Sequence, residues 1–248
     1  MKRLENKVAV VTGASKGIGA DIAKKLSSEG ASVVVNYSSD KSGADKVVVE
    51  ITNAGGKAIA VQANVSVETD IKRLFAETNS TYGNVDILVN NAGVYNFVPL
   101  GQITADEFHR QFNTNVLGLL LVTQEAAKNF NDGGSIINIG SAVTKLNIAG
   151  SSIYTATKSS VESITNVLSK ELGPRKIRVN TLAPGMVETE GSISAGLIGS
   201  DFQTHVENTA PLGRIGQPED ISNVAAFLAS DESGWLTGEV LFAAGGAK

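Results

Sequence analysis

Seven short, uninterrupted runs of apolar and largely β-branched residues recur along the chain, at residues 7–11, 31–36, 57–62, 85–89, 135–139, 176–182 and 239–243. The segments between them repeat their apolar residues at helical spacing. A strand that is apolar on both faces has no side to give to water. Seven such strands alternating with helices therefore dictate one parallel sheet, covered by helices on both faces and wound with right-handed crossovers. Nothing in the 248 residues reads as a linker, a repeat or a low-complexity run, so residues 1–248 are expected to form a single α/β domain.

Local signals place the helices. The first runs from the glycine turn to Ser28 and stops at Gly30. Another spans about 39–54. Ser66 is a plausible cap for the next, with Glu68 and Asp70 in its first turn. Thr104 and Glu107 form a capping box that opens one long helix to about Asn129. A helix over 152–172 closes at Gly173-Pro174, and a last one over 218–229 carries Pro218 in its first turn. The stretch 185–212 is rich in glycine and serine and weakly periodic, and is expected to be a mobile substrate loop.

Composition excludes several function classes. A net charge of -4 without a lysine or arginine cluster argues against nucleic acid or an anionic membrane as partner. The absence of cysteine removes disulfides, zinc thiolates and a cysteine nucleophile. His109 and His205 stand far apart with no ligand spacing around them, so no metal is expected. The basic start is followed by an apolar run too short for a signal peptide, and no segment approaches the ~18 apolar residues of a membrane span. The expectation is a cytoplasmic protein.

Three stretches carry chemistry. After the first run comes Thr12-Gly13-Ala14-Ser15-Lys16-Gly17-Ile18-Gly19 and then a helix. Glycines let backbone approach a pyrophosphate closely, and the helix amino end supplies unpaired N–H groups and a favourable dipole. The spacing is G-x-x-x-G-x-G, not the G-x-G-x-x-G of the common dinucleotide fingerprint. Farther on, Tyr154 and Lys158 lie four residues apart, one turn from each other on a helix. An ammonium beside a phenol favours the phenolate, which brings tyrosine toward acid–base work. Ser141 follows the 135–139 run, which sets its hydroxyl at a strand's carboxyl end, where ligands bind in open α/β sheets.

Taken in order, these pieces resemble the short-chain dehydrogenase/reductase family over essentially the whole chain. Thr12 to Gly19 is similar to its cofactor loop, Asn90-Asn91-Ala92-Gly93 to its post-strand motif, Tyr154-x-x-x-Lys158 to its active site, and Pro184-Gly185 with Thr189 to its nicotinamide-side loop. The resemblance implies a Rossmann-type doubly wound fold and a tetrad of Asn115, Ser141, Tyr154 and Lys158. In it Ser141 would hydrogen-bond a substrate carbonyl and Tyr154 would donate the proton. Lys158 would hold the cofactor ribose and lower the tyrosine pKa, and Asn115, with Asn113 competing for the assignment, would anchor a water. Cofactor contacts implied are Gly13, Ser15, Lys16, Gly17, Ile18, Gly19, Asn36, Tyr37, Ser38, Asn64, Val65, Asn91, Ala92, Gly93, Tyr154, Lys158, Pro184, Gly185, Val187 and Thr189.

The second strand ends in Val35-Asn36-Tyr37-Ser38-Ser39, with no acid to clasp an adenosine ribose and repel a 2'-phosphate. Lys16 could pair with such a phosphate, and Asn36 and Ser38 could hydrogen-bond to it. NADP(H) is therefore favoured, with NAD(H) open. Asn64 stands where the family usually has aspartate, and Ala244 where an aspartate is common near the end. Val94, Tyr95, Ala142, Val143, Ile148 and Met186 are candidate pocket residues.

The implied activity is reversible reduction of a ketone or aldehyde, a small-molecule carbonyl substrate, by a homotetramer or homodimer. Within the family, a 3-oxoacyl-carrier-protein reductase or a sugar dehydrogenase is the alternative; the former would use a basic patch such as Arg175, Lys176 and Arg178 to dock its acidic partner. Outside it stands a cofactor-binding regulatory protein that has lost the reaction. Its tetrad should be broken, and this one is whole.

Overall fold

The structure, a computed structural model, describes residues 2–247. Its seven strands are β1 (Val8–Val11), β2 (Ser32–Tyr37), β3 (Lys57–Gln62), β4 (Val85–Asn90), β5 (Phe130–Ile139), β6 (Arg178–Pro184) and β7 (Val240–Ala243). They form one sheet in the order β3-β2-β1-β4-β5-β6-β7, and every pairing is parallel. The fold is the doubly wound α/β sheet that the alternation of apolar runs dictates. Between β3 and β4 the chain crosses back to β1, so a crevice opens at the carboxyl ends of β1 and β4.

Among the described residues ten α-helices surround the sheet: α1 (Gly17–Ser28), α2 (Lys41–Asn53), α3 (Glu68–Tyr82), α4 (Ala105–Phe112), α5 (Gly118–Lys128), α6 (Val143–Leu146), α7 (Ser152–Leu172), α8 (Glu190–Ser194), α9 (Asp201–Thr209) and α10 (Pro218–Ala229). Strand side chains point alternately to the two faces. Ala9, Val11, Val33, Val35, Ile87 and Val89 accordingly join one core with α1, α2 and α10. Val10, Val34, Leu88 and Ile136 join the other, with α3 and α5.

One line of polar side chains crosses this apolar interior. Asn90 donates to Thr123 Oγ1 and to Asn138 Oδ1, both at 2.9 Å. Asn138 donates to Thr165 Oγ1 at 2.8 Å, and Thr165 and Thr181 share a hydrogen bond of 2.7 Å. Buried polar groups bonded to one another fix relative position better than apolar contact does. The ladder thereby ties α5, β4, β5, α7 and β6 together just below the residues of the site.

Four local expectations need correcting. The helix expected over 104–129 is interrupted by a π turn, Asn113–Leu117, between α4 and α5. Its opening is half a capping box: Thr104 accepts from the Glu107 N–H, but the Glu107 carboxylate turns to Arg110 and Gln111. Ser66 does not cap α3. Its hydroxyl donates to Asn113 O, and Val67 holds the cap position without a side-chain bond. The stretch 185–212, expected as one loop, contains two helices, α8 and α9. Ser200 caps α9 by accepting from Gln203 N, and Thr189 and Ser192 form a reciprocal capping box on α8.

Among the described residues no helix is long and apolar enough to cross a membrane.

Candidate active site

The glycine turn is built by its neighbours. Gly13 and Gly17 adopt φ +60° and +58°, which disfavours any side chain. Asn91 donates from its amide to Thr12 O and Gly13 O, both at 2.9 Å. Thr12 Oγ1 accepts from the N–H groups of Asn91 and Ala92. The Asn90-to-Gly93 motif thus clamps the turn from β4. A Cβ on Gly19 would run into the Asn91 amide and lie 2.6 Å from Gly13 O. Gly19→Ala is expected to lower stability by about 1–3 kcal/mol, the usual overpacking range, which a thermal melt would read as a loss of several degrees.

A cleft of about 530 Å³ runs from this turn across the carboxyl ends of β1, β2 and β4. It collects Gly13, Ser15, Lys16, Gly17, Ile18, Gly19, Asn36, Ser38, Asn64, Val65, Asn91, Ala92, Gly93 and Thr189. The absence of Cβ atoms at Gly13, Gly17 and Gly19, together with the amino end of α1, makes the cleft fit a dinucleotide's pyrophosphate.

Two of the expected contacts are corrected here. Asn36 is buried, accepting from Gly13 N at 3.2 Å and donating to Val61 O and Ala63 O. Its amide hydrogens are spent on backbone and not offered to a phosphate. Tyr37 is packed into the core and does not line the cleft. Asp40 is an acid that sequence reasoning missed. It lines the cleft two residues beyond Ser38 and caps α2 through Gly43 N at 3.0 Å. That backbone bond, with help from Ser42, Lys16 and Ser15, holds its carboxyl below the usual range.

Tyr154 and Lys158 both lie on α7, one turn apart, as their spacing requires. Lys158 is 6% exposed, donates to Ile139 O at 2.8 Å, and sits 5.8 Å from the centre of the Tyr154 ring. The electrostatics of the site reverse the expectation. Loss of solvent around the phenol pushes Tyr154 up to about 12, only partly offset by a hydrogen bond with Ser141. Burial pushes Lys158 down to about 8. Desolvation disfavours whichever form is charged, and at this separation the lysine does not overcome it.

Asn115 lies in the π turn and is buried, whereas Asn113 is exposed. The Asn115 amide donates to Val94 O at 2.8 Å and to Thr157 Oγ1 at 3.1 Å, and its Oδ1 accepts from Val94 N at 2.8 Å. Both amide hydrogens are used, fastening Val94 to Thr157 of α7. The extra residue of a π turn is what brings this side chain inward.

Beyond Tyr154 opens a second cavity of about 280 Å³. Tyr95, Ala142, Val143, Ile148 and Met186 line it, while Val94 lines the cleft and the smaller pocket that shares residues with both. Sequence reasoning missed Phe97, Leu146, Phe202, His205 and Val206. The last three come from α9, whose start is signalled by Ser200 with Gln203 three residues later and whose inner face is signalled by Phe202 and Val206 at i, i+4. Tyr95, Phe97 and Tyr154 form a ring triangle with centroids 6.0–6.4 Å apart. No lysine, arginine, aspartate or glutamate lines this cavity among the described residues.

Two of the three residues named for a carrier-protein patch are engaged within the fold. Arg178 is buried and donates to Leu228 O, Ser230 O and Ser233 Oγ. Arg175 is engaged with Asp132, Ala127 O and Phe130 O. Both precede or open β6, at the end of the sheet opposite the site.

Comparison with known proteins agrees with this geometry. The family model described as enoyl-(acyl carrier protein) reductase matches residues 13–248. An uncharacterized oxidoreductase of Methylorubrum extorquens is 54% identical over 248 residues, all of both chains. A short chain dehydrogenase of Passalora fulva is 40% identical over 255 residues, 99% of this chain and 96% of that one. Among solved structures, a short chain dehydrogenase from Burkholderia cenocepacia in complex with NADP superposes with a TM-score of 0.93 at 33% identity, covering 99% of each chain. A promiscuous reductase that catalyses keto-reduction at C1 in lugdunomycin biosynthesis gives 0.92 at 36%, again over 99% of each. The chain belongs to the short-chain dehydrogenase/reductase family of oxidoreductase enzymes.

Proposed function

We propose that this protein is an NADP(H)-preferring reductase that converts an apolar ketone or aldehyde to its alcohol, reversibly, with Tyr154 as proton donor. The observation that carries the reading is the meeting of the Ser141 and Tyr154 hydroxyls where the glycine-lined cleft joins the apolar cavity. When bound in the cleft, the nicotinamide supplies hydride to the carbonyl carbon. The chain's own groups do the rest. Ser141 holds the carbonyl oxygen, and the Tyr154 phenol, protonated throughout the neutral range, delivers its proton to that oxygen. Lys158 stands behind with its ammonium to stabilise the phenolate left by that transfer. Asn115 acts as a positioning residue, through Val94 and Thr157.

Keto-reduction by a structural neighbour supports a carbonyl substrate. The mostly apolar lining of the cavity favours an apolar substrate over a sugar such as glucose, and the engagement of Arg175 and Arg178 within the fold speaks against docking of an acidic carrier protein there. Lys16, which lines the cleft together with Ser15 and Ser38, supports the 2'-phosphate, the Asp40 carboxylate in the same cleft being engaged by the Gly43 N–H; the NADP bound to a neighbour of the same family supports it too.

The test is oxidation of NADPH and NADH, side by side, against aryl ketones, keto esters, an acetoacetyl thioester and glucose. Aryl ketone turnover faster with NADPH is expected; turnover of the thioester or glucose alone would overturn the substrate reading. Lys16→Ala is expected to weaken NADPH about tenfold, the loss of one charge-assisted contact, and NADH little. Equal loss for both would remove Lys16 from phosphate recognition.

A further inference from the structure

One hydrogen bond joins the cofactor cleft to the wall of the second cavity. The Glu190 carboxylate, on the first residue of α8, accepts from the Gly17 backbone N–H at 3.0 Å. Gly17 is the first residue of α1, so its N–H is among the donors that no earlier turn of the helix can satisfy. Those donors are also the ones that attract an anion. A carboxylate of the chain itself therefore occupies a position where the pyrophosphate of a dinucleotide is drawn. The approach is close: a Cβ on Gly17 would lie 3.4 Å from the Thr189 side chain and 3.7 Å from Glu190 Oε2.

The far side of the same turn is tied to the cavity. Tyr95 donates its hydroxyl hydrogen to Gly191 O at 3.1 Å, and the Tyr95 ring lies 6.0 Å from that of Tyr154. Below the turn the chain is anchored: Glu188 N donates to Gly216 O and Gly216 N to Met186 O, at 2.9 and 2.8 Å. Above Glu188 the first turn of α8 is a unit, since Thr189 N donates to Ser192 Oγ and Ser192 N to Thr189 Oγ1. Glu190 thus lies in a turn bonded on one side to Gly17 and on the other to Tyr95.

We propose that Glu190 is a latch on the glycine turn that competes with the pyrophosphate of the cofactor for the Gly17 N–H. The inference rests on the cofactor reading above. Two anions cannot share one N–H at the amino end of a helix without repulsion. Binding must therefore wait for the unlatched fraction of molecules, and the apparent affinity is reduced by that fraction. Glu190 is exposed, so its replacement does not threaten the fold.

The experiment uses the full chain as wild type, Glu190→Ala and Glu190→Gln. NADPH is titrated by its fluorescence, and adenosine 2'-monophosphate, which has no pyrophosphate, by calorimetry. Glu190→Ala is expected to tighten NADPH about tenfold, the gain from a latched fraction near nine-tenths, and to leave adenosine 2'-monophosphate unchanged. Glu190→Gln keeps the bond but not the charge and should fall between. Hydrogen exchange without any ligand provides a second readout: amides of residues 189–197 should exchange several-fold faster in Glu190→Ala. NADPH affinity that is unchanged or weaker in Glu190→Ala, or unchanged exchange, overturns the latch while the cofactor reading stands. Failure of the wild type to bind either nicotinamide dinucleotide overturns both.

Discussion

Tyr154→Phe is expected to leave NADPH affinity within about twofold of wild type while lowering ketone turnover by about 10²–10⁴, the range associated with a positioned general acid. The substitution removes one oxygen and keeps the ring, so the packing of Tyr95 and Phe97 around it survives. The phenol's one side-chain partner is Ser141, whose own oxygen also accepts from Val143 N. Little stability should therefore be lost. Steady-state kinetics, NADPH titration and a thermal melt on the same preparation separate the possibilities. A variant that retains a tenth or more of wild-type kcat would remove Tyr154 from the proton-transfer step. The pH profile gives an independent check. Tyr154, pushed up to about 12, carries its proton across the neutral range, whereas Lys158, pushed down to about 8, loses its charge first as pH rises. kcat/KM reports the free enzyme, so reduction should fall above about pH 8, with lysine and not tyrosine setting the limb.

Parts of this site are legible in sequence because the physics that makes them is local. Tyr154 and Lys158 share a helix face by spacing alone, and the glycine turn follows directly on a strand whose neighbours fix where it must sit. Seven apolar runs fix the sheet for the same reason. The π turn is different. Asn115 is drawn inward by bonds to Val94 and Thr157, which are 21 and 42 residues away, and no local propensity encodes either contact. Asn36 illustrates the opposite error. It stands at the position where a phosphate ligand is expected, yet its amide is consumed by the backbone of β3 and the glycine turn. The α9 wall was signalled by Ser200, Gln203, Phe202 and Val206, but the high glycine and serine content around these residues masks a short helix. The inverted pKa values of Tyr154 and Lys158 depend on burial, which spacing does not convey.

That inversion leads to a prediction with two opposite signs. Lys158→Met should abolish most turnover, at least about 10²-fold by loss of the charge beside the phenol, and yet stabilise the ligand-free protein at pH 7. Burial lowers the lysine from 10.5 to about 8, a differential of about 3 kcal/mol at 1.36 per unit. Methionine removes that penalty and leaves Ile139 O without its lysine donor, which costs about 1–2 kcal/mol. The net gain is about 1–2 kcal/mol, a few degrees of Tm for a chain of this size. The sign with pH follows from the protons bound. Between about 8 and 10.5 the unfolded lysine holds a proton that the folded one has released, so wild-type stability rises through that window. Above 10.5 both forms are neutral, the penalty has vanished, and methionine should be no better than lysine. Tyr154 acts the other way. Its folded value is raised from 10.0 to about 12, so its contribution is complete below 10 and is lost as pH rises toward 12 in both proteins alike. The difference in Tm between variant and wild type therefore isolates the lysine. A variant less stable at pH 7, or a difference that does not shrink between pH 8 and 10.5, would mean that Lys158 is held comfortably as a cation, and that the strain assigned to its burial does not exist.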